Sequence, residues 1–290
     1  MLALACWVPA PLAIKYLSPY LDFWTQNALR YIIAAITVFI FVSFSKKGAV
    51  FEKDLWRKGL IIAVPNIVMQ SLWCAAFYYL NPAFGTLLAK TSILWTAAMS
   101  LIFFVDERGL MKSKSFWTGF IIAIIGLVGV TVFKEDFSTA ASILGIIIIL
   151  CSSLSWALYT IAVKALLKGS DSMTSFAIVS IYTAVSLAVL AFIFGEPTQC
   201  LDMSAGVWAV LILSGLSCLA AAHSFYYAAI KRIGATIPSL VVLAQPFLVL
   251  LVSRVLFGEY PNIPQWMFGL LLIAGSALAI KAQEHLNKGS

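Results

Sequence analysis

Lys90 is the residue of greatest chemical consequence in this 290-residue sequence. It lies about seven residues inside an apolar run over 83–105. An ammonium at such depth in a membrane helix costs roughly 2.5–3.5 kcal/mol on insertion scales, so it faces a cavity or a partner. The chemistry this offers is binding of a carboxylate or phosphate; the structural alternatives are snorkelling outward or bonding to backbone carbonyls. Asn66, Gln70, Trp73 and Phe77 recur at i, i+4, i+7 and i+11 and so share one face of the preceding helix. His223 with Tyr226 or Tyr227 falls similarly on a later one. Amides, an imidazole and aromatic edges can orient a polar molecule in an apolar cavity, or serve helix–helix hydrogen bonding and aromatic packing. Trp7, Trp156, Tyr159 and Trp95 could extend an aromatic lining or anchor the interfaces of the bilayer.

Other chemistries lack their residues. The two histidines are His223 and His285, and no HExxH or GxSxG pattern occurs, which argues against an intramembrane enzyme. No GxGxxG or GxxxxGK[ST] pattern supports a nucleotide-driven pump. The five cysteines (Cys6, Cys74, Cys151, Cys200, Cys218) form no CxxC, so neither metal, cofactor nor disulfide framework is expected. A channel would need a continuous ring of polar or charged pore residues, which is not apparent. No Asp or Glu lies mid-span, so a carboxylate proton relay is missing. His223 could carry a proton or act as a neutral hydrogen-bonding group. Glu107 and Glu259 sit beside turns, where capping or gating suits them better than proton relay.

The elements that position these residues follow from composition. Hydrophobic residues make up 62% of the chain and charged residues 11%, against about 25% charged in a soluble domain. Lipid is therefore the expected solvent, and a helical span needs roughly 20 mostly apolar residues. Spans are expected near 1–17, 24–44, 59–80, 83–105, 115–133, 140–163, 174–194, 206–230, 234–257 and 264–282. Only 14 residues precede Lys15. At about 1.5 Å per residue these fall short of a roughly 30 Å core. Either Lys15 snorkels or the natural start lies upstream. Gly289-Ser290 reads as a possible scar of cloning.

The net charge of +7 is distributed asymmetrically. With the N-terminus in the cytoplasm, the cytoplasmic ends carry Lys46, Lys47, Lys53, Arg57, Lys58, Arg108, Lys112, Lys114, Lys164, Lys168, Lys231, Arg232, Lys281 and Lys288. The opposite loops hold Lys134, with Lys15, Arg30 and Arg254 near outer helix ends. This is the positive-inside pattern, with both termini cytoplasmic, and it accounts for the basic balance without nucleic acid.

Two fragments repeat at nearly constant offset. Trp7 to Lys15 aligns without gaps to Trp156 to Lys164, 149 residues later. Ala83-Phe-Gly-Thr-Leu-Leu aligns to Ala235-Thr-Ile-Pro-Ser-Leu, 152 residues later, each in a span ending near a Glu. Residues 1–136 and 137–290 thus form two halves of five spans. An odd number of spans makes the second half enter from the opposite side. The expected fold is all-α integral membrane: ten transmembrane helices as two inverted five-helix repeats, an architecture of secondary transporters. Gly126, Gly129, Gly269 and Gly275 are expected to permit close helix packing.

Trp-(x)7-Lys opening a half resembles the drug/metabolite transporter superfamily, EamA type. So do Ala-Leu-Arg30, Tyr226-Tyr-Ala-Ala-Ile-Lys-Arg-Ile-Gly-Ala235, and Gln245-Pro246 followed by Gly258-Glu259. The resemblance covers essentially the whole chain. It implies alternating access to a central cavity lined chiefly by the third, fourth, eighth and ninth spans, with Gln245 in the lining, helped by the first and sixth. It also implies a bacterial plasma membrane and export of an amino acid or another organic anion-bearing solute. Sugar-phosphate or nucleotide-sugar exchange is the alternative. The chain departs from the pattern at Leu94, where a proline matching Pro246 is expected. The partners so implied are a small-molecule substrate and the bilayer, with proton coupling and oligomeric state left open.

Overall fold

A computed structural model describes residues 2–45, 52–104, 113–133, 140–167, 169–233, 242, 245–258 and 262–288. Glu107, Glu259, the repeat fragment opening at Ala235 and several loop cations (Lys46, Lys47, Arg108, Lys112, Lys134, Lys168) lie outside them.

Every regular element among the described residues is helical, as expected of a chain whose solvent is hydrocarbon. There each backbone N–H and C=O must be satisfied within the chain, and a helix does so within one segment. In chain order the helices are α1 (Leu2–Trp7), α2 (Pro9–Leu17), α3 (Phe23–Ser45), α4 (Lys53–Tyr79), α5 (Pro82–Leu88), α6 (Ser92–Phe103) and α7 (Lys114–Val132). Then follow α8 (Ala140–Leu166), α9 (Ser172–Phe194), α10 (Ala205–Ser214), α11 (Ala222–Ile233), α12 (Gln245–Phe257) and α13 (Ile263–Lys288). Among the described residues five segments are long and apolar enough to cross a membrane: Phe23–Ser45, Lys53–Tyr79, Ile143–Leu166, Ser172–Phe194 and Ala205–Ala229. Shorter apolar helices occupy Leu2–Leu17, Lys114–Gly126, Leu248–Phe257 and Ile263–Gly275.

Among the described residues, three of the expected spans are interrupted. The first bends at Val8, because Pro9 and Pro11 lack the N–H groups that would bond the carbonyls of Ala5 and Trp7. The stretch over 83–105 is split by a 3₁₀ turn, Ala89–Thr91, that carries Lys90. Between α10 and α11 the helix widens into a π segment, Gly215–Ala221; such segments interrupt the regular ladder without ending the helix.

Packing brings the two ends of the sequence together. α3 lies against α9 and the π segment, α4 against α8 and α9, α5 against α12, α1 against α11, and α7 against α13. The α7–α13 contact is glycine-mediated. A Cβ on Gly126 would strike the backbone of Leu272, one on Gly275 the backbone of Ala123, and one on Gly129 the ring of Phe268. The exterior is apolar: Phe44, Phe192 and Val255 are all largely exposed, a surface suited to lipid rather than water. At one end, Asp22 accepts backbone hydrogen bonds from Trp24 (2.9 Å) and Thr25 (3.0 Å), capping α3. Its other oxygen accepts from Glu196 N (2.8 Å), beyond α9. Asp171, 149 residues after Asp22, caps α9 through Thr174 N (2.9 Å).

Candidate functional site

The interruptions converge on one cavity of about 90 Å³. On this scale a single water needs roughly 10–15 Å³, so the space is that of a small solute rather than one solvent molecule. Its lining comes from both halves of the sequence, with Trp7, Gln70, Trp73 and Lys90 from the first and Trp156, His223, Tyr226 and Gln245 from the second.

The polar framework starts from the proline-rich bend. The Trp7 carbonyl has no helical donor, since residue 11 is a proline, and Gln245 Nε2 donates to it at 2.9 Å. Gln245 opens the described part of α12, and its Oε1 accepts from Lys90 Nζ at 2.8 Å. Lys90 is 5% exposed. The 3₁₀ turn beneath it is braced by Ser153 Oγ, which bonds the Ala89 carbonyl at 3.2 Å and the Ile149 carbonyl at 2.8 Å. An ammonium, an amide and a freed carbonyl therefore form one relay across three helical segments of the fold.

Arg30 was expected near an outer helix end, and the structure corrects this. It is 1% exposed and lines the same cavity. Its Nε donates to Ser214 Oγ at 3.0 Å. Arg30 lies about seven residues inside α3, as deep as Lys90 in its own span; that equal depth was the available sequence signal.

The remaining wall is aromatic. Trp7 meets Trp156 (5.6 Å, T-shaped), His223 (5.4 Å) and Tyr226 (5.0 Å) between ring centroids. His223 stacks flat on Phe176 (5.1 Å, 4°), and its buried Nδ1 has no partner. The sequence also missed Ser92, Thr96, Ser152 and Cys218, short side chains that line the cavity but carry no periodic or charge signal.

Five expected residues stand outside the lining. Asn66 faces away, its Nδ2 donating to Thr183 Oγ1 (2.9 Å) and Tyr31 Oη (3.3 Å). Phe77 packs beside Gly85 and against Trp73. Tyr159 and Tyr227 join hydroxyls at 2.7 Å behind Trp156 and His223. Trp95 is 44% exposed and does not line the cavity. No group of three or more His, Cys, Asp or Glu able to hold a metal occurs among the described residues.

The model of the EamA-like transporter family matches residues 1–132 and again residues 143–281. An uncharacterized transporter of Haemophilus influenzae is 22% identical over 278 residues, covering 92% of this chain and 91% of the relative. The uncharacterized transporter YyaM of Bacillus subtilis is 23% identical over 245 residues, covering 82% and 78%. One solved crystal structure superposes with a TM-score of 0.68 at 16% identity, over 96% of this chain and 92% of the other. That likeness establishes the shared fold.

Proposed function

The chain belongs to the EamA-like transporter family, and on that premise we propose that it is a secondary transporter for a small organic solute bearing an acidic group, amino acids included. The observation that carries this reading is Lys90, a buried ammonium lining the cavity and donating to the amide oxygen of Gln245. The acidic group of the solute competes with Gln245 for Lys90. When it wins, Gln245 is released, the Trp7 carbonyl loses its constraint, and the contact joining the halves loosens. That is a physical route from occupancy to alternating access.

The architecture proposed is ten spans in two inverted five-helix repeats, 1–136 and 137–290, with both termini cytoplasmic. Support comes from Asp22 and Asp171, spaced like Trp7 and Trp156 and each capping the second long helix of its half. The helix pairings support it too, since exchanging the halves exchanges α4–α9 with the α3–π segment contact and leaves α3–α9 and α7–α13 unchanged. The bond from Glu196 N to Asp22 suits a shared outer location for both loops. The bacterial relatives support a bacterial plasma membrane, and export is the direction the family resemblance favours. Proton coupling would run through His223, since no carboxylate lies mid-span.

Purified protein in liposomes, offered labelled amino acids, organic acids and sugar phosphates with and without a pH gradient, tests this. Saturable uptake of an acid-bearing solute, lost in Lys90→Ala, is expected. Uptake indifferent to that substitution removes Lys90 from the site, and a complete lack of uptake sinks the carrier reading.

A further inference from the structure

The cavity holds two buried cations, and no Asp or Glu lines it among the described residues. From this we propose that its ligand is an organic dianion with two separated acidic groups, one on Arg30 and the other on Lys90. The inference rests on the carrier reading only for the ligand being moved, not for its being bound.

The charge count is the first observation. Arg30 spends its Nε on the Ser214 hydroxyl, and Lys90 spends one of three donors on Gln245. Among the described residues neither meets a carboxylate, and both are more than nine-tenths buried. By the span reading of the sequence, its twelve acidic residues lie outside the middles of the apolar runs. Desolvated charges require partners, and the described residues supply no acidic one. A ligand of charge −2 neutralises the site, with the planar fork of Arg30 matched to a carboxylate. A zwitterionic amino acid brings one carboxylate and adds an ammonium beside two like charges, with no acidic side chain in the lining to receive it.

The separation is the second observation. Arg30 is held at Ser214 on α10, and Lys90 is held at Gln245 on α12. Gln245 also bonds the Trp7 carbonyl, and the Trp7 ring meets His223 edge-on. Ser214 and His223 are nine residues apart on one continuous helical stretch, so the two cations are anchored to different helices at different points of the chain. The cavity wall also includes the apolar and aromatic Met69, Trp73, Trp156 and Leu219. That wall suits a hydrocarbon or aryl spacer rather than a single doubly charged group.

The test is calorimetric titration of the purified full-length protein with α,ω-dicarboxylates from succinate to suberate, hexanoate, phenylalanine and glycerol 3-phosphate. The same solutes are then followed by counterflow in liposomes. The best dicarboxylate is expected to bind at least tenfold tighter than hexanoate or phenylalanine, and tighter than glycerol 3-phosphate. Arg30→Gln is expected to abolish that ratio, while Arg30→Lys, which keeps the charge, retains most of it. Tighter binding of phenylalanine or glycerol 3-phosphate overturns the proposal, as does an unchanged ratio in Arg30→Gln. The wild-type ratio needs no variant, so the proposal stays exposed even if Arg30→Gln fails to fold. Tight dicarboxylate binding without counterflow supports the ligand class while overturning transport, which separates the two failures.

Discussion

Lys90 Nζ lies 2.8 Å from Gln245 Oε1, although 155 residues separate them in sequence. The same amide holds the Trp7 carbonyl, so one side chain ties the start of the chain to the fourth and ninth expected spans. Replacing Gln245 by Ala frees Lys90 for the ligand and leaves the Trp7 carbonyl unsatisfied. A net hydrogen bond is worth about 1 kcal/mol, so affinity for an acid-bearing solute should rise several-fold while turnover falls. Calorimetry and counterflow rates check this; weaker binding in the variant would show that Gln245 contacts the solute instead of competing for Lys90.

Lys90→Met keeps the length of the side chain and removes its charge. Hydrogen bonds to charged groups contribute about 1.5–3 kcal/mol, so affinity for the transported acid should fall roughly tenfold to a hundredfold. Thermal stability should hold or rise, because an uncompensated buried charge is gone. A large loss of stability would assign Lys90 a structural role.

The α7–α13 contact depends on the absence of side chains at Gly126 and Gly275, where an added Cβ meets partner backbone that cannot rotate away. Gly126→Leu and Gly275→Leu should each lower stability by about 1–3 kcal/mol, the usual range for overpacking. Gly206→Ala provides the control, since its Cβ would meet only Ser204 Oγ at 3.9 Å. Melting curves in detergent decide, and equal Tm values for all three would contradict the contact.

Asp22 caps α3 and also holds the turn at Glu196 through Glu196 N. Asp22→Ala should therefore cost the ~0.5–2 kcal/mol of an N-cap or slightly more. Unfolding measurements check this, and unchanged stability in Asp22→Ala would deny the bridge between the two turns.

Cys200 is half-buried in the short turn after α9. On the proposed topology, with both termini cytoplasmic, this turn faces outward. A membrane-impermeant maleimide applied to intact cells should label the protein, and Cys200→Ser should lose that label. Labelling that requires permeabilised cells would invert the topology.

Much of the fold was legible because lipid imposes a simple code. Apolar runs must become helices, because the backbone has to satisfy its own polar groups there. The depth of Lys90 could be read for the same reason, since a charge inside such a run is conspicuous. The glycines of α7 and α13 were also legible as packing positions, although not the backbone each would meet.

Sequence alone determined the helices, the family resemblance and one buried cation, because period and composition act locally. Tertiary structure decided which polar groups share a space. Periodicity placed Asn66 on the face of Gln70 and Trp73, yet Thr183 and Tyr31 from other helices draw its amide away. It gave no sign that Pro11 would leave the Trp7 carbonyl for Gln245, a pairing across 238 residues. Arg30 looked like an end-of-helix charge until α10 and the π segment closed over it. A helical face fixes direction but not neighbours, and the chemistry of a cavity is set by neighbours.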